Sequence, residues 1–152
     1  MNTLKIQTEI LKELYKLPCE MLYQMDTDDI YLSNGCYVVR IPQDSCYLTL
    51  EHEKIRRVYS LGKYFENRPN AYIAQSTNVL QELDTKNLIR KMESGNGAAC
   101  CWIDEKYYKL FGDKYQYLIT APNEVVQVVA NDKVIGAIMP IGMKGLDDNE
   151  ID

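Results

Sequence analysis

The chain lacks nearly all the residues and motifs that specify a reaction. His52 is its single histidine, and no two of its five cysteines form a CxxC pair, so the ligand pairs of a zinc site are missing. No Walker A loop and no GxGxxG fingerprint occurs. The acidic run Asp26–Asp29 is not followed by the glycine and glutamate of an EF-hand, and predicts a turn. We therefore predict a protein that is not an enzyme and that uses no metal and no cofactor.

The strongest enzymatic alternative is a thiol nucleophile with His52 as its base. Cys46 lies six residues from this histidine in a predicted strand. Cys100 and Cys101 lie in an apolar run, which would raise the pKa of their thiols. Because nothing in the sequence brings a thiol to His52, we predict that the cysteines are buried free thiols.

The sequence also lacks a long apolar run. A membrane-spanning helix needs about 20 apolar residues, and the N-terminal MNTLKIQTEILKELYK is charged and amphipathic. We expect a cytoplasmic protein without membrane contact. The net charge of −5 argues against binding nucleic acid through the whole surface. Because four acids lie beyond Met143, we predict one nearly neutral domain, residues 1–143, and a flexible acidic tail, residues 144–152.

Local patterns in the first fifty residues predict a strand, a helix and three further strands. Alternating apolar and polar residues indicate the strands, and the Asn-Gly pair after Ser33 favours a tight hairpin. Cys46–Leu50 is predicted as one more strand. The main elements are the strand Thr3–Gln7, the helix Glu9–Lys16 with Thr8 as its cap and Pro18 after its end, and the strands Glu20–Met25, Ile30–Leu32 and Cys36–Ile41.

The last third of the chain predicts the same order of elements. The two helix caps are 96 residues apart and the two prolines that follow the last strands are 98 apart, which predicts an internal duplication with halves at about 1–50 and 98–143. The elements are the strand Ala98–Ile103, the helix Glu105–Phe111 between Asp104 and Gly112, and the strands Tyr115–Thr120, Glu124–Ala130 and Val134–Ile141.

The middle of the chain, residues 51–97, predicts helices. One is expected over Glu53–Arg68, with apolar residues on one side and many basic residues on the other. A second is expected over Asp84–Met92, followed by a flexible connector, Glu93–Gly97.

Three stretches resemble a domain of the DNA sliding clamps, the processivity factors of replicative polymerases. TLKIQTEILKELYKL resembles the strand and first helix of a clamp domain, and IYLSNGCYVVRI resembles the strand pair around the Asp-Gly-His-Arg-Leu turn of the bacterial clamp. VVQVVANDKVIGAIMPI is similar to its last strands, which finish in Met-Pro. The resemblance covers Met1–Leu50 and Ala98–Met143. It implies an α+β fold, a duplicated β-α-β-β-β clamp-like domain with antiparallel sheets and helices on one side.

The resemblance implies a non-enzymatic accessory protein of DNA replication or of a mobile element. We expect it to bind DNA or replication proteins and to form a homo-oligomer through its sheet edges. Clamps meet phosphates with basic helices, so the expected DNA-binding residues are basic. They are Lys12, Lys16, Lys54, Arg56, Arg57, Lys63, Arg68, Arg90, Lys91, Lys106 and Lys109.

Two alternatives stay open. The basic residues can instead belong to solvated helix faces, since glutamates are mixed among them. The protein can also be a protein-interaction or inhibitor module with a clamp-like fold and no DNA binding. An exposed patch rich in tyrosine, with the basic residues scattered or in ion pairs, would favour the second function. Most of the twelve tyrosines are predicted to pack in strands.

Overall fold

A computed structural model describes residues 2–16, 20–51, 54–83 and 87–142, except for the side chains of Tyr15 and Lys16. Within these ranges there are two α-helices, ten β-strands and two short 3₁₀ turns, Gln43–Ser45 and Gly62–Phe65. The helices are α1, Thr3–Lys16, and α2, Glu105–Phe111. The strands are β1 Met21–Met25, β2 Asp29–Ser33, β3 Tyr37–Pro42, β4 Ile55–Arg57, β5 Tyr72–Glu82, β6 Leu88–Ser94, β7 Cys100–Asp104, β8 Gln116–Ile119, β9 Val126–Ala130 and β10 Lys133–Ile138.

All ten strands belong to one sheet with the order β4-β1-β2-β3-β10-β9-β8-β5-β6-β7. Neighbouring strands are antiparallel except for β4, which runs parallel to β1. The predicted α+β class is confirmed. The expected antiparallel sheets are replaced by a single mixed sheet, because the chain after Pro42 returns to the outer side of β1 in the same direction as that strand.

Both helices pack into the same large apolar cluster on one face of the sheet. α1 contributes Ile6, Ile10 and Leu14, which recur every four residues and therefore lie on one side of the helix. α2 contributes Leu110 and Phe111. The opposite face carries a smaller cluster, in which Tyr31 and Val38 of the sheet are covered by Leu61 and Phe65.

The N-terminal segment is helical where a strand was predicted. Leu4 and Ile6 alternate with polar residues, as in a strand, but the spacing of Ile6, Ile10 and Leu14 extends the helical pattern back to Thr3. The predicted cap is also wrong. The Thr8 hydroxyl donates to Leu4 O within α1, and the side chain of Asn2 accepts from Lys5 N at 3.0 Å instead. Pro18 lies outside the described residues.

Both predicted helices of the middle segment are wrong. Ile55–Arg57 is the strand β4, which satisfies its backbone on β1, and Gly62–Phe65 is a 3₁₀ turn. Leu88–Ser94 forms β6 of a hairpin with the long strand β5, which was not predicted. Asp84, the expected cap, lies outside the described residues.

Two smaller predictions also fail in the described chain. The expected strand Cys46–Leu50 is irregular, and Leu48 alone of its residues is buried. The expected flexible connector is a tight turn between β6 and β7, in which Gly97 N donates to Ser94 O at 3.0 Å and Gly97 has a φ of 72°.

The strands on either side of the middle match their predictions closely. β1, β2 and β3 lie within two residues of the predicted bounds, as do β7, β8 and β9. α2 has the predicted bounds, with the Asp104 side chain accepting from Lys106 N at 2.9 Å and Gly112 at a φ of 99°. Asn131 and Asp132 join β9 to β10 with positive φ angles of 51° and 63°, as a two-residue hairpin turn requires.

Candidate functional site

The two helices lie beside each other and form the helix layer, defined here as α1 and α2. A groove of about 250 Å³ runs between them. Lys5 Nζ donates to the carbonyl oxygen of Lys109 at 3.0 Å, so a lysine of α1 satisfies one of the last carbonyls of α2. The groove is lined by Lys5, Glu9, Glu13, Lys106, Tyr107, Lys109 and Leu110.

Asn34, in the turn between β2 and β3, connects the sheet to both helices. Its Oδ1 accepts from the backbone N–H groups of Cys36 at 2.9 Å and Tyr37 at 3.1 Å. This fixes the amide so that Nδ2 donates to Glu13 Oε2 of α1 and to the hydroxyl oxygen of Tyr107 of α2, both at 3.1 Å. One side chain therefore joins the sheet to both helices.

Burial changes the ionisation of the groups around Asn34. It raises the pKa of the half-buried Glu13 carboxyl, although the bond from Asn34 and the charge of Lys106 act in the opposite direction. Burial also raises the pKa of the Tyr107 hydroxyl well above its ordinary value. The inner part of the groove therefore disfavours negative charge on both groups.

The first acid of α2 is neutralised by a buried ion pair. Arg90 of β6 donates from Nε to Glu105 Oε1 at 2.8 Å and from Nη2 to Oε2 at 2.6 Å, a bidentate arrangement. Its Nη1 donates to Ser76 Oγ at 2.6 Å, and its guanidinium lies 4.5 Å from the Tyr108 ring centroid. The side chains of Arg90 and Glu105 are only 13% and 6% exposed. Arg90 therefore anchors α2 and is turned away from solvent.

Lysines dominate the exposed charge of the helix layer. Glu105 is paired with Arg90, Glu13 is half-buried, and Glu9 pairs with Lys12 at 3.2 Å. Four of the described lysines on the two helices are exposed: Lys5, Lys12, Lys106 and Lys109. The one glutamate of these helices with a comparably exposed side chain in the described residues, Glu9 at 44%, is paired with Lys12. The helix layer is therefore a positively charged surface on a chain whose net charge is −5.

The other predicted site residues are distributed over three further regions. Lys54, Arg56 and Arg57 lie at β4, where Lys54 Nζ donates to Leu14 O at 2.8 Å and Arg56 pairs with Glu20. Lys63 and Arg68 belong to the segment on the opposite face of the sheet from the helices. Arg68 pairs with Glu124 there at 3.3 Å, and Lys91 is partly buried on β6. The side chain of Lys16 lies outside the described ones.

The thiols of the described chain differ in exposure. The prediction of buried thiols is wrong for Cys36 and Cys100, which are exposed, and holds for Cys101. Burial raises the pKa of Cys101 to about 12, which keeps that thiol protonated. His52, the only histidine, lies outside the described residues. Within the described ranges, no three His, Cys, Asp or Glu side chains cluster as metal ligands would.

Three parts of the site were not predicted from sequence. The alternating pattern predicts Lys5 in a strand, although its spacing of seven residues from Lys12 places both on the same side of a continuous helix. Asn34 was assigned only to a turn, and its bonds to both helices depend on a tertiary arrangement that no local pattern encodes. Nothing in the sequence pairs Arg90 with Glu105, because the helix predicted over Arg90 would have turned it to solvent.

Comparisons with known proteins add no family. No family model matches the chain, and neither the curated proteins nor the solved structures searched include a significant match. None of the helices in the described residues is long and apolar enough to span a membrane.

Proposed function

We propose that the helix layer binds the sugar-phosphate backbone of DNA, and that the protein is a non-enzymatic, clamp-like accessory protein of DNA replication or of a mobile element. The observation that carries this proposal is the exposed charge of the two helices, which comes from lysines while their glutamates are buried, half-buried or paired. Lysine is a flexible point charge that meets phosphates without reading bases. Binding of this kind is sequence-independent.

The order of the central strands supports the clamp-like part of the proposal. α1 is followed by β1-β2-β3 and α2 by β8-β9-β10, and these two sets meet through antiparallel pairing of β3 with β10. Each set is therefore a helix followed by a three-strand meander, and both helices pack on the same apolar cluster. A duplicated unit with helices on one side would have this layout.

Fluorescence anisotropy with labelled duplex DNA across a salt series tests the proposal. The logarithm of the binding constant is expected to fall linearly with that of the salt concentration, with a slope of about −0.9 per phosphate contacted. The double variant Lys106→Gln/Lys109→Gln is expected to lower the affinity and to make the slope shallower by about two contacts.

The matched control is Arg57→Gln/Lys63→Gln, which removes the same charge from two exposed residues outside the helix layer. We expect its affinity and slope to stay close to those of the unmodified protein. Equal losses in both variants would indicate non-specific attraction, and the absence of salt-dependent binding by the unmodified protein would refute DNA binding altogether.

A protein-interaction or inhibitor module is the second candidate function. It is favoured by the ion pairs that engage Arg56, Arg68 and Arg90, and by the apolar side chains that β5 and β6 expose. Under this function, Lys106→Gln/Lys109→Gln would not alter binding to the target, and DNA would not compete with it.

A further inference from the structure

Lysines of the helix layer carry positive charge that no ion pair neutralises. Within the described ranges, Lys106 and Lys109 form no ion pair with an acid. Lys5 forms none either, and its Nζ donates to the uncharged backbone carbonyl of Lys109 at 3.0 Å. Four arginines elsewhere in the described chain each pair with a carboxylate. The helix layer is therefore suited to an anionic partner.

The chain returns to the helix layer after its last strand. Met139 N donates to Cys36 O, and Ile141 N donates to Trp102 O, both at 2.8 Å. Cys36 lies in the turn whose Asn34 bonds to both helices. Trp102 lies on β7, two residues before the cap of α2. The last described residues are therefore fixed close to the start of α2.

The residues that follow have a charge complementary to this surface. The acidic tail, residues 144–152, lies outside the described residues and has the sequence KGLDDNEID. It contains four carboxylates and one lysine, so its charge is −3 at neutral pH. The acids are Asp147, Asp148, Glu150 and Asp152. An anionic segment is therefore tethered beside a lysine surface.

The tail is long enough to reach both lysines of α2. From Trp102 to Lys109 the chain takes two strand steps and five helical steps, about 14 Å in all. Ile141 lies beside Trp102 at about the 5 Å spacing of neighbouring strands. An extended chain covers about 3.3 Å per residue, so Asp148 can lie up to about 23 Å from Ile141. Its acids can therefore reach Lys106 and Lys109 without any change in the fold.

We propose that the acidic tail binds the helix layer of its own chain, with its carboxylates on Lys106, Lys109 and Lys5. The tail then occupies the surface that we assign to the phosphates of nucleic acid, so it regulates access to that surface. This regulatory consequence rests on the proposed function, whereas the binding of the tail itself does not.

Binding of this kind is an equilibrium that salt controls. A single exposed ion pair contributes little stability. Tethering compensates, because a short linker holds the acids near the lysines at an effective concentration of about millimolar. Added salt screens exposed charges, since the Debye length falls from about 30 Å at 0.01 M to about 3 Å at 1 M. We therefore expect the tail to be bound at low salt and released at high salt.

NMR spectra of the full chain without nucleic acid test the binding of the tail. The tail variant is Asp147→Asn/Asp148→Asn/Glu150→Gln/Asp152→Asn. At low salt, the backbone amide resonances of Lys106 and Lys109 should differ between the unmodified chain and the tail variant. The difference should disappear as salt is added. Identical spectra of α2 in the two proteins at low salt would overturn the proposal.

The control variant removes the same number of charges from four exposed acids outside the helix layer. It is Asp28→Asn/Glu66→Gln/Glu82→Gln/Asp132→Asn. Its resonances for α2 should match those of the unmodified chain. An equal shift in the control variant would show an effect of net charge alone and overturn the proposal. Shifts that depend on protein concentration would place the tail on another copy and overturn binding within one chain.

Fluorescence anisotropy with duplex DNA separates this inference from the proposed function. The tail variant should bind DNA more tightly than the control variant, by the inverse of the fraction of unmodified molecules whose tail is free. The NMR shifts measure that fraction. Equal affinities of the two variants at low salt would overturn regulation by the tail. If neither variant bound DNA while the tail shifts were present, the proposed function would fail and the binding of the tail would stand.

Discussion

The two helix-and-meander units of this protein have the same layout and different anchoring. α1 has 14 residues and is held by three buried apolar residues along one side, Ile6, Ile10 and Leu14. α2 has seven residues and is held by the Arg90–Glu105 ion pair in addition to its apolar residues. Both helices bury three large apolar side chains, and the shorter one adds a buried ion pair with a side chain from β6.

This difference shows what the middle segment contributes. β6 supplies Arg90, whose donors reach Glu105 of α2 and Ser76 and Asn78 of β5. The position of α2, and with it the positions of Lys106 and Lys109, therefore depends on the β5–β6 hairpin. Changes that weaken α2 should consequently affect the lysine surface more than equivalent changes to α1.

The largest expected effect follows from breaking the ion pair. Arg90→Met leaves the Glu105 carboxylate buried without its partner, and removal of one member of a buried pair typically costs about 3–5 kcal/mol. Urea denaturation measures the change in the free energy of unfolding. The double variant Arg90→Met/Glu105→Leu is expected to recover most of the loss. A single variant as stable as the unmodified protein would show that α2 needs no ionic anchor.

A smaller loss is expected where α2 approaches the sheet. A Cβ at Gly136 would lie 2.4 Å from the Phe111 ring and 3.0 Å from Val38 O. Gly136→Ala should therefore displace Phe111, at about 1–3 kcal/mol, the usual cost of overpacking a core. Gly62→Ala is the matched control, because its nearest neighbour is 3.6 Å away. If both variants lost the same stability, the loss in Gly136→Ala would not be caused by the close packing of α2 on the sheet.

The helix caps give a third comparison. Asp104→Ala removes the acceptor of the Lys106 N–H and should lower stability by about 1 kcal/mol in the same urea assay. The equivalent change at α1, Asn2→Ala, removes the acceptor of the Lys5 N–H. We expect it to cost less, because α1 has 14 residues, twice as many as α2, so its cap is a smaller share of the contacts that hold it. A larger loss from Asn2→Ala would reverse the comparison.

The smallest effect concerns pH. The pKa of Glu13 is raised in the folded protein, so the folded state binds this proton more tightly than the unfolded state does. Stability should therefore fall as pH rises from the ordinary carboxyl value of 4.5 through the raised folded value. Glu13→Gln keeps an acceptor for Asn34, and its stability should not fall over this pH range for this reason. Thermal unfolding of both proteins at several pH values measures the difference. An unchanged pH profile would contradict this assignment.

Local rules were sufficient for the parts of the fold that depend on turns and caps. Asn34-Gly35, Asn131-Asp132 and the Asp104 cap predict the hairpins and α2 because each motif favours its conformation through its own backbone and side chain. Because these motifs mark where an element begins or ends, the succession of strands along the chain before residue 51 and after residue 97 could also be predicted.

Local rules failed where pairing decides the structure. The segment around Ile55–Arg57 has a helical apolar pattern, but its backbone pairs with β1, which lies more than thirty residues earlier. Leu88–Met92 likewise satisfies its backbone on β5 and β7, and this turns Arg90 inward to Glu105. Propensity does not determine such segments, because the pairing partner lies far away in the sequence.

The candidate site could be predicted only in part. Lys12, Lys106 and Lys109 are exposed on helices, as expected, because helical spacing places them opposite the apolar residues. The sequence does not reveal that Glu105 is neutralised by Arg90 or that Glu13 is drawn inward by Asn34. These two contacts make the exposed charge of the helix layer basic, and both join residues distant in sequence.

NMR mapping tests most directly whether nucleic acid binds the helix layer. Duplex DNA added to the labelled protein at low ionic strength should shift the resonances of Lys5, Lys106 and Lys109 and of their helices first. The resonances of Arg57 and Lys63 should stay in place. Shifts confined to the middle segment, or no saturable shifts at all, would contradict the account.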